Sequence, residues 1–412
     1  MKKKQCRFCG SSLNESFADL GTSPLSNAFV PEDRLQVAEH FYPLHAFVCS
    51  ECFLVQLEEF ESPSQIFNDH YPYFSSFSDS WLKHVEDYST KMIKDFKLGG
   101  DSQVVEIASN DGYLLQFFKA KGIKVLGVEP SANVAALALH KEIPTLIKFF
   151  GVKTAQELKK SGLQADLLAA KNVLAHVPDL NDFVAGMKIA LKSTGVLTVE
   201  FPHLLRLMEF VQFDTIYHEH FSYLSFLTVN QVFARHGLTL FDVEELSTHG
   251  GSLRIYGCHQ EDASKKIHER VPRLLELEKK AKLDQMSAYR DFQQQMRNTK
   301  FSILEFLINA KKQGKTIAGY GAPAKGNTLL NYCGVRADLI DYTVDRSPHK
   351  QGRYLPGSRI PIKSPDAIRE TKPDYVMILP WNIQDEIITQ MSFIREWGGK
   401  FVVPIPTIRV IA

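Results

Sequence analysis

The feature that most constrains this chain is an alternation of short apolar runs with helix-like segments, and it occurs twice. In the first stretch, apolar runs at 104–108, 124–128, 165–170 and 196–201 are separated by helical patterns that open at Gly112 and cover 132–140 and 181–191. Strands that alternate with helices pair in parallel and are covered on both faces, so the pattern predicts a βαβ sheet. The second stretch repeats the texture on a smaller scale, with runs at 316–320, 339–344, 375–379 and 400–404 and helical patterns through 330 and over 384–397. Between them, residues 262–312 are charged, almost free of Gly and Pro, and apolar at helical spacing, which predicts a pair of connecting helices. A further helical pattern places Trp81, Val85, Tyr88, Met92 and Phe96 on one face. Upstream of it, the turn-rich and aromatic N-terminus reads as a small irregular module. The expected organisation is therefore three domains, at 1–75, 76–260 and 261–412.

Composition excludes several function classes. With 48 basic against 47 acidic residues the net charge is +1, too balanced for a large nucleic-acid or anionic-membrane footprint. No apolar stretch approaches the roughly 20 residues that span a bilayer, and no apolar region follows Lys2–Lys4. The expectation is a cytoplasmic protein, and a three-domain chain that closes its own site can act as a monomer.

Four of the six cysteines form two CxxC pairs, Cys6 with Cys9 and Cys49 with Cys52. Each pair can aim two thiolates at one ion, and four complete a tetrahedral shell with no open position, which predicts a structural Zn2+. Cys258 and Cys333 read as buried small apolar residues. His40, His45, His70 and His84 read as surface or hydrogen-bonded core residues, because the thiolates already fill the shell.

Residues 104–113, VVEIASNDGY, form a buried strand, a polar turn and a helix start. Small residues such as Ala108 and Gly112 let a ligand approach the backbone, and Asn110 lies in the same turn. A dinucleotide fold would carry G-x-G-x-x-G here. This turn has one glycine and two acids, Glu106 and Asp111, which repel a pyrophosphate and suit a cationic sulfonium with an amino group. About twenty residues on, Glu129-Pro130 ends the second strand with a carboxylate placed to accept ribose hydroxyls. The fourth strand runs into KNVLAHVP, carrying Asn172 and His176. Order and spacing match a class I S-adenosylmethionine methyltransferase.

After the fifth strand, Tyr217-His218-Glu219-His220 gathers four hydrogen-bonding side chains. If extended, it places His218 and His220 on one face and Tyr217 and Glu219 on the other. Acid–base chemistry suits it best, and a metal site or an exposed polar loop stays open. His249-Gly250-Gly251-Ser252 is either a turn or a substrate contact. In the second α/β unit, GYGAPAKGN puts Gly321, Ala322, Lys325 and Asn327 between a strand and a helix, a good anion site. Asp345 follows the next strand and can accept a ribose hydroxyl. The glycine spacing is not that of a dinucleotide site, which favours a nucleotide diphosphate over NAD(P), with a vestigial structural unit as the remaining reading.

The motifs CRFCG with CSECFLVQL, HYPYFSSFSDSW, VVEIASNDGYLLQ, KNVLAHVPD, IYHEHFSYLS and GYGAPAKGNTLLN resemble bacterial sugar C-methyltransferases that act on nucleotide-linked keto-deoxysugars. The resemblance covers nearly the whole chain. It implies a zinc-binding N-terminal domain, a central class I S-adenosylmethionine domain and a C-terminal Rossmann-like domain, with the nucleotide-sugar between the latter two. It implies that His220 is the general base with Tyr217 and Glu219 beside it. Asn172 and His176 would contact the sugar, and Tyr71 and Tyr73 would close over the site. A ketone acidifies its neighbouring carbon, so a base can leave an enolate that Tyr217 or a protonated His176 stabilises. The expected substrate is a thymidine- or guanosine-diphosphate 4-keto-6-deoxysugar, methylated at C3. The alternatives are an NAD(P)-linked sugar oxidoreductase or epimerase using the C-terminal unit, and a non-catalytic nucleotide-sugar-binding protein.

Overall fold

The computed structural model describes residues 4–62, 65 and 74–412 of the chain; Tyr71 and Tyr73 lie outside the described residues. The seven-stranded central sheet has the order Leu238–Leu246, Ser252–His259, Leu191–Pro202, Ala165–Lys171, Gln103–Ile107, Lys124–Val128, Thr145–Leu146. Only Ser252–His259 runs antiparallel to its neighbours. This is the class I methyltransferase topology. Gln103–Ile107 and Ala165–Lys171 are buried along nearly their whole length, as strands covered on both faces must be. Gln103–Ile107 has partners reached by crossovers in opposite directions, so a crevice opens at its carboxyl end, where such folds bind ligands.

The C-terminal sheet repeats this logic. Its order is Ile362–Lys363, Tyr342–Val344, Ile317–Tyr320, Tyr375–Ile378, Lys400–Val403, Arg409–Ile411, with only the last strand antiparallel. The charged connector forms helices Arg270–Lys280 and Phe292–Lys312 with the short Ser287–Arg290 between them. The aromatic helix spans Asp79–Phe96 and starts two residues before Trp81, because the Ser78 side chain accepts from Trp81 N at 3.3 Å and caps it.

The N-terminal module is more regular than its sequence suggests. Glu15–Ser23, Tyr42–Val48 and Val55–Leu57 form an antiparallel sheet. Register shifts inside the first strand break the alternation that would have revealed it. The fourth strand, Ser222–Tyr223, comes from the central domain, between Leu191–Pro202 and Leu238–Leu246, and pairs with Val55–Gln56. Phe17 stacks on Phe292 with centroids 4.6 Å apart, so the module shares a core with the connector helix. Among the described residues, no helix is long and apolar enough to cross a membrane.

Candidate active site

At the carboxyl end of Gln103–Ile107 the chain turns through Ala108 and Asn110, both at positive φ (56° and 48°), and Gly112 (77°). A Cβ on Gly112 would lie 2.6 Å from Ile143 Cδ1, so only glycine fits there. Glu129 ties this turn to the second strand, accepting from Asn110 N at 3.0 Å and Ser131 N at 2.9 Å. Each of its oxygens keeps a second lone pair for a ribose hydroxyl. Glu106 is fully buried, and neither of its carboxylate oxygens meets hydrogen-bond geometry. Desolvation raises its carboxyl well above the ordinary range against the pull of Tyr113 and Lys171, and Asp111 and Glu129 add repulsion. Asp111 Oδ1, Ser109 Oγ and Asn172 Oδ1 are further buried acceptors without a partner. Such a rim of unmatched acceptors fits a ligand that brings donors and positive charge, as S-adenosylmethionine does. Pro130 follows the clasp at its edge. Across the turn, Ser75 N donates to Asn110 Oδ1 at 2.9 Å and the Ser76 hydroxyl donates to Asp111 Oδ2, so the segment after Tyr73 rests on this edge.

The segment 217–220 is a tight turn rather than a strand, with His220 N donating to Tyr217 O at 2.9 Å. This corrects the extended reading of its faces. The turn brings Tyr217 and His220 together, the hydroxyl 2.8 Å from Nε2, and sends His218 away to Pro43 O at 3.2 Å. His220 Nδ1 lies 2.9 Å from Thr215 O and can only donate to it, which leaves Nε2 as the acceptor of a neutral ring. Burial and then the neighbouring His176 hold His220 well below the ordinary imidazole range, with Lys325 and His249 adding to this and the Thr215 carbonyl opposing it. His176 packs edge-on against His220 at 4.7 Å between centroids. Burial lowers His176 to about 4 despite the facing Glu219 carbonyl. At neutral pH it is uncharged, so the expectation of a protonated His176 donor fails for want of solvation. Glu219 is buried, and burial raises its carboxyl to about 7 against the pull of Asn27, whose Nδ2 donates to Oε1 at 2.6 Å.

In the C-terminal unit, Gly321 takes φ 88°, and a Cβ on Gly326 would lie 2.8 Å from Leu379 Cβ, so the helix Ala324–Cys333 closes tightly on the sheet. Asp345 accepts from Ala322 N and Ser347 N, each at 2.8 Å, and pairs with Lys350 at 3.3 Å. Much of its acceptor capacity is thus spent on its own turn. Lys325 Nζ donates to Asn382 Oδ1 at 2.8 Å and lies 4.7 Å above the Trp381 ring. Burial lowers its ammonium and Asp214 opposes this. The Trp381 indole in turn donates to buried Asp214 at 2.6 Å. Asp214 precedes Thr215, so this clasp joins the C-terminal domain to the backbone that orients His220. Asn327 is 1% exposed, and neither of its amide atoms has a partner among the described residues. His249, at φ 57°, turns toward Trp81 with centroids 5.4 Å apart.

The four cysteine sulfurs lie within 4.8 Å of one another. Each pair is a knuckle: Gly10 N donates to Cys6 O at 2.9 Å and Phe53 N to Cys49 O at 3.0 Å, with Gly10 and Phe53 both at positive φ. Gln56 Nε2 donates to Cys6 Sγ at 3.2 Å, the kind of support a thiolate ligand needs. Four sulfurs at these separations around one centre fit zinc with no open position.

Sequence reasoning missed a buried charge cluster beneath the site. Glu200 meets Lys171, Arg254 Nε at 2.7 Å and His84 Nε2 at 3.0 Å. Burial alone would raise its carboxyl, but Lys171, His84 and Arg254 hold it well below the ordinary range. The signal was available: Arg254 is a lone Arg in a mostly apolar strand, and Glu200 is the lone acid in another. Glu200 O also accepts from Asn172 N at 2.8 Å, which fixes Asn172 at φ 53°.

Family models match three consecutive stretches: a zinc binding domain over residues 6–67, a methyltransferase domain over 81–243 and a C-methyltransferase C-terminal domain over 247–406. C-methyltransferase NovU of Streptomyces niveus is 34% identical over 408 residues, 99% of this chain and 97% of that protein. A ubiquinone biosynthesis O-methyltransferase of Rhodopseudomonas palustris (strain BisA53) is 30% identical over 98 residues, 24% of this chain and 38% of that protein. Magnesium protoporphyrin IX methyltransferase from Synechocystis PCC 6803, solved with bound S-adenosylmethionine, aligns over 43% of this chain and 79% of its own at 15% identity and a TM-score of 0.33. With its four-cysteine zinc site, its class I fold and near end-to-end similarity to NovU, the chain belongs to the family of S-adenosylmethionine-dependent C-methyltransferases.

Proposed function

We propose that the protein C-methylates a nucleotide-diphosphate-linked 4-keto-6-deoxysugar at C3, next to the ketone. The observation that carries this reading is the Tyr217–His220–Thr215 arrangement: a neutral imidazole, oriented by a backbone carbonyl, whose Nε2 faces a hydroxyl donor at the seam between two α/β units.

Bound S-adenosylmethionine supplies an electrophilic methyl group on a cationic sulfur, held by Glu129 at the ribose and by the acidic turn of Glu106, Ala108, Asn110, Asp111 and Gly112. His220 Nε2 takes the C3 proton, and Nδ1–H to Thr215 steadies the ring as charge develops. Tyr217 releases Nε2 and turns its hydroxyl to the enolate oxygen, while neutral His176 and Asn172 line the sugar. Lys325, the helix start at Ala324 and the Asn327 amide take the pyrophosphate end. Asp345 mainly holds the turn for that purpose. The Ser75–Ser76 contacts shut the methyl-donor edge from water; the part expected of Tyr71 and Tyr73 lies outside the described residues. General-base catalysis contributes about 10²–10⁴-fold, and positioning of two substrates supplies much of the rest.

The test is mass spectrometry in deuterated water with S-adenosylmethionine and a panel of thymidine- and guanosine-diphosphate 4-keto-6-deoxysugars. A gain of one methyl group at C3 on any member supports the reading, and the panel identifies the base. Methylation at another carbon overturns the position, and neither methyl nor deuterium uptake overturns the substrate class.

A further inference from the structure

We infer that Asn27, carried by the zinc module, is a positioning residue of the active centre that orients the Glu219 carboxylate toward the substrate. The inference rests on the sugar-methylation reading for what Glu219 meets, but its geometry stands apart from it. Asn27 lies 192 residues from Glu219 in sequence, yet its amide donates to Oε1 at 2.6 Å. Among the described residues Oε2 has no hydrogen-bond partner, so it is the oxygen left to accept from a hydroxyl or ammonium on the substrate.

Asn27 is not a loose surface contact. Its loop is anchored on both sides to the C-terminal domain: Ser26 Oγ lies 3.4 Å from Thr328 Oγ1, and Val30–Pro31 pairs with Arg353–Tyr354. Glu39 then pairs with Arg359 at 2.7 Å and accepts from Gly357 N at 2.8 Å. The module also flanks the 217–223 segment from the other side, through Leu57 N to Phe221 O at 3.0 Å. The Asn27 loop therefore touches the C-terminal helix Ala324–Cys333 and the catalytic turn together.

The group that meets the Glu219 carboxylate is the Asn27 amide, and the His176 ring bears on the Glu219 backbone carbonyl; its chain neighbours Tyr217 and His220 pair with each other, and His218 turns to Pro43. Burial and Asn27 set its titration, and Asn27 stabilises the charged form. Removing the amide therefore shifts Glu219 ionisation to higher pH, by about one pH unit for one charge-assisted bond.

The experiment follows the carboxyl C=O infrared band of the full-length, zinc-loaded protein through a pH titration, with Glu219→Gln as the reference, alongside the pH profile of kcat/KM. Asn27→Ala is expected to move both the band and the acid limb upward. Turnover at pH 7 falls about fivefold and converges on the unmodified enzyme near pH 9. Asn27→Asp, which keeps the loop's volume but places a carboxylate against Oε1, is expected to move them further. Unmoved band and limb at full zinc content overturn the inference. Loss of zinc from both variants overturns it too, because Asn27 would then be a folding residue of the module. Failure of the sugar reading shows differently, as absence of turnover by the unmodified enzyme while the band still responds to Asn27.

Discussion

The central and C-terminal α/β units solve the same backbone problem with opposite charge. In each, a buried strand ends in a turn with positive φ, and an acid from the next strand clasps that turn: Glu129 on Asn110 N, Asp345 on Ala322 N. The central turn then surrounds its crevice with Glu106, Asp111 and Glu129, whereas the C-terminal turn offers Lys325 and Lys350. Backbone topology decides where a ligand sits, and side-chain charge decides which. On the proposed reading, the acidic turn would take the cationic methyl donor and the basic turn the anionic nucleotide-sugar, so the two would not compete. The residues proposed to react belong to neither turn; they sit on the 217–220 turn.

That comparison can be broken in steps, from the largest expected effect down. His220→Asn should cut methyl transfer about 10²–10⁴-fold while calorimetry shows both ligands still binding, because the seam and not either turn does the proton chemistry. Glu200→Gln should strand Lys171 and Arg254 as buried positive charges and lower stability by about 3–5 kcal/mol, read as a fall in denaturant midpoint; no cluster of this kind underlies the C-terminal turn among the described residues. Glu129→Ala should weaken S-adenosylmethionine binding by roughly 10–100-fold through lost charge-assisted bonds, with nucleotide-sugar affinity unchanged. Lys325→Gln should do the reverse, raising the nucleotide-sugar Kd by about tenfold and flattening its salt dependence. Equal loss of both affinities in either of the last two variants would mean the turns do not divide their ligands by charge.

Much of this site was legible before any coordinates. The strand, turn and helix start of residues 104–113, the acid at 129 and the two CxxC pairs are local patterns, and their backbone demands are written in neighbouring residues. Glu219 and His220 also stood out as polar residues in an apolar stretch. What could not be read was their direction. A one-position difference between a strand and a turn reverses which side chains meet, and Tyr217 joined His220 only because residues 217–220 close on themselves. The protonated His176 was misjudged for a related reason, since burial is a property of the packed whole. The irregular reading of the N-terminal module failed where bulges hid its strands and where Ser222–Tyr223 arrived from another domain.

The amino-acid sequence by itself determined the two parallel sheets, the four zinc thiolates and the charge of each ligand turn, because these rest on periodicity, spacing and residue type over short distances. Tertiary structure alone decided that Asn27 reaches Glu219, that Trp381 of the C-terminal unit grips Asp214 beside the His220 carbonyl partner, and that Glu200 gathers Lys171, Arg254 and His84. Those contacts join residues 29 to 192 positions apart, or link one domain to another. No local pattern encodes them; they exist only once three cores have packed against one another and left each buried polar group to find a partner.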